Sequence, residues 1–174
     1  NTELANVGLL GDLLSNEKAS TVIVDDGARS SELRPIDNNL SYSIYGLGGN
    51  DLIQGGNAND ILYGGSGNDT IVGGAGNDLI VGGQGNDIMT GGEGSDIFRW
   101  EKNDYLNGFN AAVDRITDFD LRPVVLGGDV LDLSNMLIGA GRFGFSAGNL
   151  INYLHFSYNA STNQTIIYIS KDGL

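Results

Sequence analysis

Between residues 46 and 99 a large apolar side chain recurs every nine residues, at Ile53, Leu62, Ile71, Ile80, Met89 and Phe98. Each stands at the centre of a three-residue run (LIQ, ILY, TIV, LIV, IMT, IFR). Side chains alternate along a strand, so the central residue points opposite to its two neighbours and the six form one inward file. Glycine-rich stretches of six residues separate the runs, which predicts short strands joined by turns. The flanks are less regular. Leu4, Val7, Leu10, Leu13 and Leu14 fall at helical spacing behind Thr2 as N-cap, so residues 2–14 read as a short amphipathic helix or the tail of a preceding domain, weakened by Gly8 and Gly11. Thr21–Val24 reads as a strand stopped by Asp25-Asp26-Gly27, and Leu40, Tyr42 and Ile44 alternate with Ser41, Ser43 and Tyr45 into the first repeat.

Written in full, the period is GLGGNDLIQ, GGNANDILY, GGSGNDTIV, GGAGNDLIV, GGQGNDIMT and GGEGSDIFR, six phrases without a gap. Glycines at positions one, two and four mark a backbone that needs positive φ or close approach to an ion, both of which a Cβ obstructs. If two phrases make one turn of a flattened solenoid, Asp51, Asp69 and Asp87 stack in one file and Asp60, Asp78 and Asp96 in the other. Carboxylates about 4.8 Å apart repel by roughly 3–4 kcal/mol at an effective dielectric of 20. Ordering so many glycines adds a further cost. Neither file forms unaided, whereas a divalent cation between successive turns reverses the balance. Carboxylate and peptide oxygens, with no Cys and no repeated His, suit calcium better than zinc or copper, and magnesium resists giving up its water.

The phrase G-G-x-G-x-D-x-U-x, with U large and apolar, resembles the calcium-binding nonapeptide of the repeats-in-toxin (RTX) family. The resemblance implies an all-β fold, a right-handed parallel β-roll with β-rich caps at either end. It also implies ions held between phrase n and phrase n+2. Phrase n gives the carbonyls of positions two and four, phrase n+2 those of one and three, and both give their Asp. Carried over, one ion takes Leu47, Gly49 and Asp51 with Gly64, Ser66 and Asp69, and the next Gly65, Gly67 and Asp69 with Gly82, Gln84 and Asp87. The other column pairs Gly56, Ala58 and Asp60 with Gly73, Ala75 and Asp78, then Gly74, Gly76 and Asp78 with Gly91, Glu93 and Asp96. At least four calcium ions are expected. Leu47 replaces the second glycine and Ala58 the fourth, so their sites survive only if the backbone still takes the required angles.

The formal charge of −13 argues against nucleic acid and anionic membranes as partners, and four calcium ions would bring it to −5. With no Cys, a calcium staple is expected where a small secreted fold would use disulfides. No apolar run approaches a membrane span and no leader opens the chain, which begins at Asn1 and is expected to be cut from something larger. The resembled family is exported by a C-terminal signal, so the expected location is secreted or on the bacterial cell surface.

Beyond the repeats, IFRW, then DRITDFD at 114–120, GDVLDLSNML at 128–137, NLINYLHF at 149–156 and TIIYISKDG at 165–173 resemble the C-terminal target region of proteins exported by type I secretion, above all large surface adhesins. The resemblance implies the type I secretion machinery as a partner. Missing the further strand and apolar tail usual in that family, the chain is expected to stop short of the export signal. The expected division is a capping segment over 1–45, the β-roll over 46–99 and a C-terminal cap over 100–174. Ile116 and Phe119, then Val130, Leu131 and Leu133, predict short strands that extend the stack. Leu150, Ile151, Tyr153, Leu154 and Phe156 predict a short helix or strand, and Thr165–Ser170 a strand. Asp118 and Asp129 are candidates to complete a half-site left by Gly92, Gly94 and Asp96, with Asp114, Asp120 and Asp132 as caps and turns. Asp25, Asp26 and Asp37 stand as solvated turn residues or as ligands of an added site. The outward residues of the even phrases (Ile61, Tyr63, Leu79, Val81, Ile97, Arg99) are more apolar than those of the odd ones and are expected to be covered by the segment after Trp100 or by the amino-terminal one.

Gly144-Phe145-Ser146-Ala147-Gly148 matches a serine-hydrolase pentapeptide, but the one His, His155, follows with no acid between, so no catalytic set is expected. The leading expectation is a calcium-dependent folding and export module at the C-terminal end of a secreted RTX adhesin. The alternatives are a module binding sugar, ice or a host surface, with Trp100, Tyr105 and Phe109 as contact aromatics, or the calcium domain of a secreted lipase or protease.

Overall fold

The computed structural model describes residues 21–25, 30–35, 37–101, 104, 106–107, 110–135, 154–159 and 164–169. The helix expected over 2–14 and the loop at 144–148 lie outside them.

Among the described residues the strands are, in chain order, β1 (Thr21–Val24), β2 (Glu32–Leu33), β3 (Tyr42–Tyr45), β4 (Leu52–Gly56), β5 (Ile61–Ser66), β6 (Thr70–Ala75), β7 (Leu79–Gln84), β8 (Ile88–Glu93), β9 (Ile97–Arg99), β10 (Leu106–Asn107), β11 (Asn110–Ala111), β12 (Arg115–Ile116), β13 (Val130–Asp132), β14 (Leu154–Asn159) and β15 (Gln164–Ile169). Two parallel sheets, ordered β1-β3-β5-β7-β9-β13 and β12-β8-β6-β4-β2, take alternate strands from the chain. The result is a β-solenoid of about four turns with the form of a β-roll. Among the described residues the sole helical element is the 3₁₀ turn Val124–Leu126.

Register follows the nine-residue period. Ile53 pairs with Ile71 and Ile71 with Met89 in one sheet, and Leu62 with Ile80 and Ile80 with Phe98 in the other. All six central residues are fully buried, joined by Ile44 above them. Leu33, Tyr42, Ile23, Trp100 and Leu133 complete this core, with Ile116, Phe119 and Leu131 packed against it. The expected closing strands therefore form: β1, β2 and β3 extend the stack at the amino end and β12 and β13 at the other.

The repeat strands are longer than the three residues expected. β5 to β8 each run for six, because the glycine pair opening the next phrase stays in register with its counterpart one turn on (Gly65 with Gly83, Gly74 with Gly92). Two antiparallel pairs, β10 with β11 and β14 with β15, lie outside the parallel sheets. The segment left open as helix or strand is strand from Leu154, and His155 sits within it.

The even outer face is covered in part. Val81 is buried, but Ile61 is 38% exposed. Glu101 and Asp104, from the segment after Trp100, line a cavity with Tyr63 and Val81.

Candidate metal centre

Every phrase opens its strand with Asp at position six, and the structure places all six of these residues in the interior at 3% exposure or less. Stacking is set by the backbone. The N–H of Asp51 donates to Asp69 Oδ1 and that of Asp69 to Asp87 Oδ1, each at 2.8 Å. In the other file Asp60 donates to Asp78 Oδ1 at 2.8 Å and Asp78 to Asp96 Oδ1 at 2.9 Å. Both files are thus assembled as the sequence implied.

Each carboxylate spends one oxygen on this ladder. The other, Oδ2, is buried and has no hydrogen-bond partner among the described residues in Asp60, Asp69, Asp78, Asp87 and Asp96. The ion pairs among the described residues, Arg34 with Glu32, Arg99 with Asp132 and Arg122 with Asp120, do not involve these five. Burial without a counter-charge favours the protonated form. It pushes Asp69 up from the usual 3.8 to about 6, and Asp78 and Asp87 to about 7; repulsion from stacked neighbours adds to the rise, and the backbone N–H opposes it. Asp60 and Asp96 move in the same direction, again by desolvation first.

The glycines show what these oxygens face. A Cβ added to Gly64 would collide with both Asp69 Oδ2 and the Gly82 carbonyl, and one on Gly73 with Asp78 Oδ2 and the Gly91 carbonyl. Gly46 and Gly55 repeat the arrangement, with Asp51 Oδ2 and the Gly64 carbonyl, and with Asp60 Oδ2 and the Gly73 carbonyl. Position-one glycines are therefore needed for space, and none of them has positive φ. In each of four gaps a carboxylate oxygen and a carbonyl oxygen converge, an arrangement that suits a cation.

The remaining carbonyls lie between turns. Leu47, Gly49, Gly56, Ala58, Gly65, Gly67, Gly74 and Gly76 each turn a carbonyl toward the glycine stacked beneath. Those of Ser66, Gln84 and Glu93 accept the position-four N–H of the phrase above, from Gly49, Gly67 and Gly76. Ala75 lies in register in β6, opposite Glu93. The two consensus departures behave differently. Leu47 takes the left-handed angle at φ 67°, whereas Ala58 does not, although its carbonyl still faces Gly76.

No three acidic or histidine side chains cluster to hold a metal among the described residues, so peptide carbonyls must supply much of any coordination shell. All-oxygen donors in glycine turns fit calcium, which accepts six to eight such ligands at flexible geometry.

The model of the RTX calcium-binding nonapeptide repeat family matches residues 43–71 and 63–98, as four copies. Residues 43–98 carry RTX calcium-binding repeats. Such repeats are known to bind calcium and occur in secreted proteins. No curated protein matches the chain. Among solved structures the chain is similar to the AlgE6R3 subunit of the Azotobacter vinelandii mannuronan C5-epimerase in solution, at 24% identity, covering 84% of this chain and 74% of that one with a TM-score of 0.44.

Around the RTX repeats the structure adds three features to the sequence reading, in which Asp129 already stands as a candidate to complete a half-site. Asn50, Asn68 and Asn86 form a second ladder, each accepting the N–H one turn on (Asn68, Asn86 and Val113) at 2.8 Å; Asn59 and Asn77 do the same for Asn77 and Ser95. The recurrence of Asn at position five was the available signal. The files also end at acids outside the repeat. Asp114 accepts the Asp87 N–H at 3.0 Å and Asp129 the Asp96 N–H at 2.9 Å. Their second oxygens, unlike those of the repeats, accept the Trp100 indole N–H and the Asp120 N–H. Trp100 is accordingly buried, which removes it from the aromatics available to a surface ligand. Finally, Asp104 is 7% exposed beside the odd file.

Of the outlying acids, Asp118 accepts from Gly91 N–H and Gly92 N–H, and Asp37 closes a turn onto Asn39. Asp26, Tyr105 and Phe109 lie outside the described residues.

Proposed function

We propose that this chain is a calcium-dependent folding and export module from the C-terminal end of a secreted RTX adhesin. The observation that supports it most directly is the stack of buried Oδ2 atoms on Asp60, Asp69, Asp78, Asp87 and Asp96, which have no hydrogen-bond partner among the described residues. In low cytosolic calcium those charges oppose folding, and the segment stays unfolded and threadable. Outside the cell, four ions in the four gaps between phrases n and n+2, held by the aspartates and carbonyls named above, convert binding energy into folding energy. The chain's own residues do the binding and no catalytic step is assigned to them. The C-terminal motifs at 114–173 support the adhesin and the type I secretion partner. Circular dichroism with calcium and with chelator tests the reading. Strand signal should appear only with calcium, and equal strand content in chelator sinks it.

A second reading, a module that binds a surface ligand, draws on the stacked pair Tyr45 and Tyr63, 5.1 Å between ring centroids, beside the cavity lined by Val81, Glu101 and Asp104. Titration against glycans, with Tyr63→Ala as the control, separates the two.

A further inference from the structure

The position of each partnerless oxygen tells which gap it serves. In the gaps below Asp60, Asp69 and Asp78, Oδ2 of the upper aspartate lies with a carbonyl of the turn below, that of Gly73, Gly82 and Gly91 in turn. By the same geometry Asp87 Oδ2 and Asp96 Oδ2 belong to the next gaps down, beneath the last two phrases. Each lies against the position-one glycine of its own turn, Gly82 and Gly91, where a Cβ would collide with it. Both aspartates are essentially inaccessible, at 1% and 0%, and neither Oδ2 atom has a hydrogen-bond partner among the described residues.

What lies beneath is not a seventh or eighth repeat but the closing turns that end at Asp114 and Asp129. Non-repeat acids are placed there. Asp118 rests on the N–H groups of Gly91 and Gly92, at 3.0 and 2.8 Å, against the same glycine that Asp96 Oδ2 abuts. Asp104, buried in the odd closing turn, has its Oδ2 on the Glu101 N–H and lines a cavity with Gly83 and Gln84. Asp114 and Asp129, like Asp118, have both oxygens hydrogen-bonded, so the series of partnerless oxygens ends with Asp87 and Asp96 and the gap beneath each is the last one open to an ion.

We infer that the cation files run one turn beyond the nonapeptides: the gap below Asp87 holds an ion whose lower carboxylate is Asp104, and the gap below Asp96 holds one whose lower carboxylate is Asp118. This rests on the proposed calcium-bound β-roll and deepens it. The chain then carries one ion for each of the six gaps between stacked aspartates, rather than the four that whole phrases supply.

Native mass spectrometry of the full chain in saturating calcium counts the ions. Six in the wild type, with Asp104→Asn and Asp118→Asn each losing one and retaining calcium-induced strand signal, is the expected result. Trp100 provides a second readout in solution, because its indole closes the odd file on Asp114. The part of its emission change that reports the Asp87 gap should require at least tenfold more calcium in Asp104→Asn, since even outer-shell partners are worth roughly 10–100-fold. Asp118→Asn should leave that phase in place. Four ions on a chain that still folds with calcium overturns this inference alone, as does a count of six kept by both variants. No bound ions and a fold indifferent to chelator overturn the parent reading instead.

Discussion

Asp78→Asn is the sharpest perturbation because the expected effect changes sign with calcium. Asp78 is the middle member of the even file, accepting the Asp60 N–H at Oδ1 and donating its own N–H to Asp96. Asparagine is close to isosteric and keeps an oxygen for the first of these bonds. What changes is Oδ2, the buried atom with no hydrogen-bond partner that sits with the Gly91 carbonyl. In calcium the substitution weakens the two gaps that Asp78 borders. A ligand at a hundredfold excess over its Kd contributes about 2.7 kcal/mol per site, so losing both costs roughly 5 kcal/mol. That is comparable with the whole stability of a small domain, about 5–15 kcal/mol.

In chelator the same change removes the repulsion of two stacked neighbours, each worth roughly 3–4 kcal/mol at an effective dielectric of 20 when fully ionised. Asp78 is pushed up to about 7, so the comparison belongs near pH 8, where it is charged. Urea unfolding followed by circular dichroism, with saturating calcium and again in chelator, gives both numbers. The expected result is a large loss with calcium and an equal or more ordered chain without it. Equal losses in both conditions would mean that Asp78 is simply a packed side chain, and the account of the file would fail.

Acidity should act in opposite directions on the two states. Without metal, Asp69, Asp78, Asp87 and Asp114 have folded values of about 6 to 7 against 3.8 unfolded, so the ion-free fold binds more protons than the unfolded chain between those limits. Their contribution is most favourable below about pH 4 and is lost as pH rises through 6 to 7. The chelated chain should gain strand signal on acidification, while the calcium-loaded chain should weaken below about pH 6 as protons displace the ion. Parallel pH curves with and without calcium would refute this. Gly67, at φ 128°, has no room for a side chain because an added Cβ would fall on the Gly49 carbonyl; Gly67→Ala should destabilise by roughly 2–6 kcal/mol, measured by thermal melts in calcium. Leu47→Gly relieves a left-handed residue that is half exposed, and should fall within about 1 kcal/mol of wild type on the stabilising side.

Much of this was legible because the sequence repeats at the period of the fold. An apolar residue every nine positions fixes the register, since a slip by one residue would turn every core side chain outward. The six aspartates were found for the same reason. What the period could not convey lies where it breaks. The closing turn from Trp100 to Asp114 has no consensus to count against, so Asp114 looked like a cap until the Asp87 N–H was seen to end on it. Trp100 reads as a contact aromatic under the ligand-binding alternative, because nothing local marks the carboxylate that receives its indole N–H. Strand length was underestimated for another reason. Glycine disfavours strand interiors as a propensity, but here the pair that opens each phrase keeps its ladder register while leaving room for the oxygens beside it.

The two ends of the files show how a metal-stapled stack limits its own length. At the amino end the position of the aspartate is taken by Tyr42 and Ser31, whose N–H groups donate to Asp60 and Asp51 at 2.7 Å without adding a stacked carboxylate above. At the other end charge is met by donors: the second oxygens of Asp114 and Asp129 receive an indole and a backbone N–H. Between these ends, each aspartate with a partnerless second oxygen calls for a cation, and each cation needs a turn on either side. Replacing Trp100 by Phe would leave Asp114 Oδ2 without its indole donor, as the repeat aspartates are, with no further turn among the described residues to hold an ion. The length of the ordered stack is thus decided by where hydrogen-bond donors take over from metal, and the number of glycine phrases sets only its minimum.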